Sequence, residues 1–161
     1  MTARATPVHR EIKQRRPFPS PAQEAIVALF RTTDRLRRRI AQVLEPSGVT
    51  LQQYNVLRIL RGAGEGGLPT LEIVERMIEQ TPGITRLLDR LERKRLVSRE
   101  RCPSDRRQVT CRITESGLTL LAGLDATVDR TDEELLGLEP AELRRFTALL
   151  DRIRGGLGEP D

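Results

Sequence analysis

Two stretches of this chain carry residue types whose chemistry can be read from their spacing. Residues 102–114 read CPSDRRQVTCRIT, where Pro103-Ser104-Asp105-Arg106-Arg107 separates two short runs of alternating character. A turn with Arg106 and Arg107 near its tip offers two positive charges to a polyanion. Asp105 would repel such a partner unless its carboxylate is engaged inside the protein, on loop N–H groups or a neighbouring arginine. The second stretch is residues 81–93. Ile84, Leu87, Leu88 and Leu91 recur at helical spacing and form one apolar stripe. Thr81, Gly83, Thr85, Arg86, Asp89, Arg90 and Arg93 fall on the other side. Small and hydroxylated residues there permit close approach, a helix N-terminus favours anions, and the arginines can hold phosphate or, bidentately, a planar acceptor pair.

The elements that must position these groups come from the rest of the pattern. Residues 1–20, with three prolines, no periodicity and basic residues that include Arg10, Lys13, Arg15 and Arg16, read as an extended or partly disordered arm. From Pro21 a long helix carries Ala22, Ala25, Ile26, Leu29, Phe30, Leu36, Ile40 and Val43, and Pro46 and Gly48 end it. Thr50-Leu51-Gln52-Gln53 is a capping box that opens the next helix, which the glycines from Gly62 to Gly67 interrupt. Pro69-Thr70 opens a short helix carrying Leu71, Val74 and Met77/Ile78. Thr81 as cap and Pro82 as first helical residue open a fourth. Val109, Cys111 and Ile113 then alternate with polar residues as a half-buried strand, with Val97, Arg99 and Arg101 as its hairpin partner. A long helix over about 118–136 follows Gly117, and Pro140 starts a last one through Ile153, with Gly155–Gly158 as a frayed end.

Composition narrows the function. The 161 residues suit one domain built mainly of Leu, Ile and Val, and no run is long enough for a membrane span. No signal peptide is recognisable at the N-terminus, so a cytoplasmic protein is expected. The net charge of +5 is unevenly placed: +6 over residues 81–114 and −6 over 115–161. One surface is thus suited to a polyanion and another is not. No catalytic set is recognisable, and the glycine-rich 62–67 stretch lacks a phosphate-loop lysine. His9 is the only histidine and the two cysteines stand nine apart, which is no usual zinc spacing. Neither enzyme activity, a metal nor a cofactor is expected.

The element order, a mostly α chain with a small β-wing, gives a winged helix-turn-helix lobe plus N- and C-terminal helices whose apolar stripes nothing in the chain can fully cover. Homodimerisation is the economical solution. In this frame Thr81, Pro82, Gly83, Thr85 and Arg86 would enter the major groove of double-stranded DNA, with Arg86 on guanine or on phosphate. Arg90 would lie on the same face. The alternative for Arg90 and Arg93 is a solvated helix with pairs such as Asp89–Arg93. Arg107 at the hairpin tip suits the narrow minor groove, Arg106 the backbone, with Asp105 bracing them.

These residues also resemble a known family. Ile84-Thr85-Arg86-Leu87-Leu88-Asp89-Arg90-Leu91-Glu92, then Leu96-Val97, then Ser104-Asp105-Arg106-Arg107, then Ile113-Thr114-Glu115-Ser116-Gly117 match MarR-type winged-helix transcription factors in order and spacing. With the helix order, the resemblance covers about residues 21–154. It implies an obligate homodimer on a pseudo-palindromic operator, repression of nearby genes, a small phenolic or other aromatic effector, and Arg107 of the Asp-x-Arg signature in the minor groove. Relatives commonly have glycine where this chain has Arg95, so a left-handed helix end would be strained here. The expected organisation is an arm (1–20), a dimerisation helix (21–48), the DNA-binding lobe (49–116), C-terminal dimerisation helices (117–155) and a tail (156–161). Two alternatives stand beside it: a redox-responsive regulator using Cys102 and Cys111, and a winged-helix module that binds protein.

Overall fold

The computed structural model describes residues 6–79, 82–101 and 109–158. Seven helices and three strands are placed among them: α1 (Val8–Glu11), α2 (Pro21–Leu44), α3 (Leu51–Ala63), β1 (Leu68–Pro69), α4 (Thr70–Arg76), α5 (Ile84–Arg93), β2 (Val97–Arg101), β3 (Val109–Ile113), α6 (Glu115–Leu136) and α7 (Pro140–Leu157). The mostly α fold with a small sheet is that of a winged helix. No helix among the described residues is long and apolar enough to cross a membrane.

Local chemistry sets most of the boundaries. The Ser20 hydroxyl accepts from the Gln23 N–H at 3.2 Å and starts α2, with Pro21 in its first turn. Pro46 lies in a single 3-10 turn, and Gly48 ends it with φ +69°. The Thr50 capping box forms with both bonds, Gln53 N–H to Thr50 Oγ1 at 3.3 Å and Thr50 N–H to Gln53 Oε1 at 3.2 Å. Leu44, Leu57, Leu60, Ile73, Leu88, Leu91, Val97 and Leu121 then meet in one buried core. Arg61 of α3 clasps Asp125 of α6 with two bonds, at 2.7 and 3.1 Å, and this partner holds the Asp125 carboxyl below its usual range.

Several expectations need correction. The arm is not simply extended: Val8–Glu11 is a helical turn, and Glu11 reaches Arg31 and Arg35 of α2 at 3.4 and 3.0 Å. The hairpin is part of a three-stranded sheet in the order β1-β3-β2, because Leu68 and Pro69 pair with Cys111 and Thr110. On α4 the buried residue is Ile73, whereas Leu71 is 77% exposed and Ile78 81%. The helix ends at Arg76 and Met77 is already extended, so Ile78 leaves the helical phase. Helix α6 begins at Glu115, capped by Thr114, and runs through Gly117. A Cβ on Gly117 would stand 2.5 Å from the Leu96 carbonyl oxygen, so this glycine permits close packing and breaks nothing. Helix α7 continues over Gly155 and Gly156 to Leu157.

The candidate nucleic-acid interface

Helix α5 is shaped at both ends by left-handed residues. Gly83 is its N-cap with φ +90°, so the helix starts at Ile84, two residues beyond Pro82. Proline therefore lies in the turn before the helix, correcting the expected start. Its apolar stripe behaves as the spacing requires: Leu87, Leu88 and Leu91 are buried and Ile84 partly so. At the other end Arg95 adopts φ +59°. The Arg95 N–H donates to Glu92 O at 2.8 Å and the Leu96 N–H to Leu91 O at 3.0 Å, the paired bonds of a Schellman ending. Thr114 Oγ1 donates to Arg95 O at 2.6 Å and holds the residue there. The strain expected of a non-glycine at this position is present, on the order of 1 kcal/mol.

Pro82, Gly83, Thr85, Arg86 and Arg90 are all exposed, so the structure brings these candidate residues onto one accessible side. Neither Arg86 nor Arg90 pairs with a carboxylate among the described residues. Together with Pro82 and Gly83 they line a groove of about 460 Å³ whose far wall is Thr50, Gln52 and Gln53. The first turn of α3 thus joins the site. Sequence reasoning used Thr50 only as a cap and missed that wall, although a cap exposes neighbouring N–H groups and could have signalled it. Lys94, at the end of α5, reaches Gly48 O and lies 3.5 Å from Gln53 Oε1, tying that wall to α5.

The Asp89–Arg93 ion pair of the alternative, solvated-helix reading does not form. Arg93 Nε donates to the Asp89 carbonyl at 3.3 Å, while the Asp89 carboxylate goes to Arg99 of β2 at 2.6 Å. Arg99 also bonds Glu92 through Nε at 3.0 Å, and these acids raise its pKa, the Glu92 hydrogen bond most of all.

Strands β2 and β3 pair as the expected hairpin, in the register Val97 with Ile113, Arg99 with Cys111 and Arg101 with Val109. On the outer side Arg112 joins Glu100 at 2.6 Å and the Glu65 carbonyl at 3.0 Å. The segment joining the strands lies outside the described residues, and with it Cys102, Asp105, Arg106 and Arg107; Thr81 lies outside them too. Cys111 is fully buried, 3.9 Å from Thr70 Oγ1, and burial pushes its thiol pKa up. Such a thiol packs as core and is a poor nucleophile, which weighs against its use as a redox sensor. Among the described residues no group of three or more His, Cys, Asp or Glu side chains could hold a metal.

Known proteins share this arrangement. The MarR family model matches residues 49–109. A MarR transcription factor from Planctomyces limnophilus is 39% identical over 84% of this chain and 98% of its own, with a TM-score of 0.66. S. aureus MepR in a DNA complex is 26% identical over 80% of this chain and 96% of its own, at a TM-score of 0.72. Bordetella bronchiseptica BpsR, whose DNA binding is regulated by 6-hydroxynicotinic acid, is 26% identical over 79% of this chain and 96% of its own, at 0.69. With helix order, capped α3, wing register and these likenesses in agreement, the chain belongs to the MarR family of winged-helix transcription regulators.

Proposed function

We propose that this chain is a homodimeric repressor that binds a pseudo-palindromic operator in double-stranded DNA and is released by a small aromatic or phenolic effector. The observation that carries the DNA reading is the exposed Arg86 and Arg90, neither paired with a carboxylate among the described residues, beside Thr85 on a helix whose opposite stripe is buried. Thr81, Pro82, Gly83 and Thr85 approach the major groove. Arg86 contacts guanine or phosphate, and Arg90 follows the backbone. Arg106 and Arg107 extend from the wing, Arg107 into the minor groove, with Asp105 bracing them. The DNA complex of MepR supports this mode of binding.

The dimer reading rests on α2 and α7. Ile26 is 53% exposed and Leu149 53%, and with Leu29, Phe146, Leu150 and Ile153 they line an open, mostly apolar groove of about 550 Å³. A second copy is its natural cover. On this reading residues 21–48 and 117–155 build the dimer and 49–116 is the DNA-binding lobe.

The effector reading rests on a smaller apolar cavity of about 250 Å³ between α2 and the lobe, lined by Leu36, Ile40, Leu51, Met77 and Ile78 among others. Its volume lies just below the range that holds drug-sized ligands, which suits a single ring. Arg37 pairs with Glu79 at 2.9 Å at its rim, on the segment leading to α5. The regulation of BpsR by 6-hydroxynicotinic acid supports an aromatic effector.

Selection of bound fragments from random-sequence DNA tests the reading. A preferred duplex should emerge and be held roughly 10³-fold or more above random DNA at physiological salt. Equal affinity for every duplex, or none for any, would overturn it.

A further inference from the structure

Helix α5 carries two acids: Asp89 on the side that, on the reading above, faces a polyanion, and Glu92 at the edge of the buried stripe, four residues after Leu88. Asp89 is three residues from Arg86 and four from Thr85, so it is their neighbour on the same face. Glu92 stands one turn beyond, toward the wing. Both side chains are well over a third exposed. Unpaired, each would repel phosphate where Arg86 and Arg90 attract it.

One guanidinium meets both acids. Arg99 lies in β2, in register with the buried Cys111, and its side chain is only 23% exposed. Its Nη2 bonds Asp89 Oδ1 at 2.6 Å and Glu92 Oε2 at 2.5 Å, and its Nε bonds Glu92 Oε2 at 3.0 Å. The planar fork of arginine allows this simultaneous engagement, which a lysine ammonium would reproduce poorly. Two residues further along β2, Arg101 leads into the segment that carries Arg106 and Arg107.

We propose that Arg99 is a positioning residue for DNA binding: by engaging Asp89 and Glu92 together it withdraws two carboxylates from phosphate and clamps the first wing strand to the recognition helix. The inference rests on the DNA-binding reading and adds to it a residue that need not touch DNA. It also explains how a helix with Asp89 on its outward side can serve a polyanion, since that charge is answered from within the lobe.

The test uses full-length wild type, Arg99→Gln, Asp89→Asn/Glu92→Gln and the triple variant, each titrated with the selected duplex at two salt concentrations. Arg99→Gln should bind about tenfold more weakly near 0.15 M salt. That deficit should shrink as salt rises, because the repulsion it exposes is screened. Removing the acids in the same chain should restore most of the loss. A change that merely disturbed packing would be neither salt-dependent nor rescued. The triple variant has no unpaired charge at this site and stays readable even where Arg99→Gln melts early. Wild-type affinity in Arg99→Gln, or a triple variant no tighter than Arg99→Gln, would overturn the inference. A wild-type protein that selects no duplex removes the DNA reading itself, an outcome visible before any variant is compared.

Discussion

The lobe and the outer helices handle apolar surface in opposite ways. In the lobe, Leu57, Leu60, Leu88 and Leu91 are buried to 1% exposure or less. On α2 and α7 the same kinds of residue stand in the open, with Phe30 70% exposed and Ile153 50%. A stripe closed within the chain serves stability. On the proposed dimer reading, a stripe left bare across two long helices serves association, because monomeric proteins rarely expose such continuous apolar surface. On that reading the difference separates two tasks: one region would hold the reading helix in place, and the other would set how many such helices a complex contains.

The sharpest way to break this comparison is a charge on the open stripe. Leu149→Asp should leave the lobe folded, since the residue is half-exposed already, yet turn a dimer into a monomer by sedimentation. Operator affinity should then drop by roughly 10² to 10⁴, the advantage of linking two binding modules. Inside the lobe, Leu88→Ala should cost about 3 kcal/mol by urea unfolding, as burial and the cavity left behind require.

On the polar side of the same helix the cost should move from stability to binding. Arg86→Ala should weaken operator binding by about 2 kcal/mol with little change in melting. Base preference should relax as well if Arg86 meets a base edge. Smallest of all, Arg95→Gly should stabilise the protein by about 1 kcal/mol, because glycine takes the left-handed ending without strain. A destabilised Arg95→Gly would mean that the arginine side chain contributes more than its backbone costs.

Much of this division could be read from residues alone, for definite reasons. The Thr50–Gln53 box, the Ile84–Leu91 stripe and the strand alternation around Cys111 are short-range patterns, and the structure follows each. What escaped reading depends on partners distant in sequence. Gly117 reads as the residue before a helix until the Leu96 carbonyl is placed against it, inside the helix's first turn. Leu68-Pro69 has no periodicity to detect and becomes a strand only because β3 is alongside. Pro82 suggests a helix start by local preference, but the left-handed Gly83 delays it. The candidate site was legible in part: Arg86 and Arg90 follow from the stripe opposite them. The Thr50–Gln52 wall and the Arg99 clamp needed three dimensions, and the wing residues Asp105, Arg106 and Arg107 lie outside the described residues.

The most direct measurement is a footprint of the full chain on its selected duplex, combining methylation protection in the major groove with hydroxyl-radical cleavage of the backbone. Two protected major-groove patches about one helical turn apart, each with protection in the adjoining minor groove, are the predicted result. A single patch, or protection spread evenly along the duplex, would contradict a dimer that reads DNA through α5 and its wings.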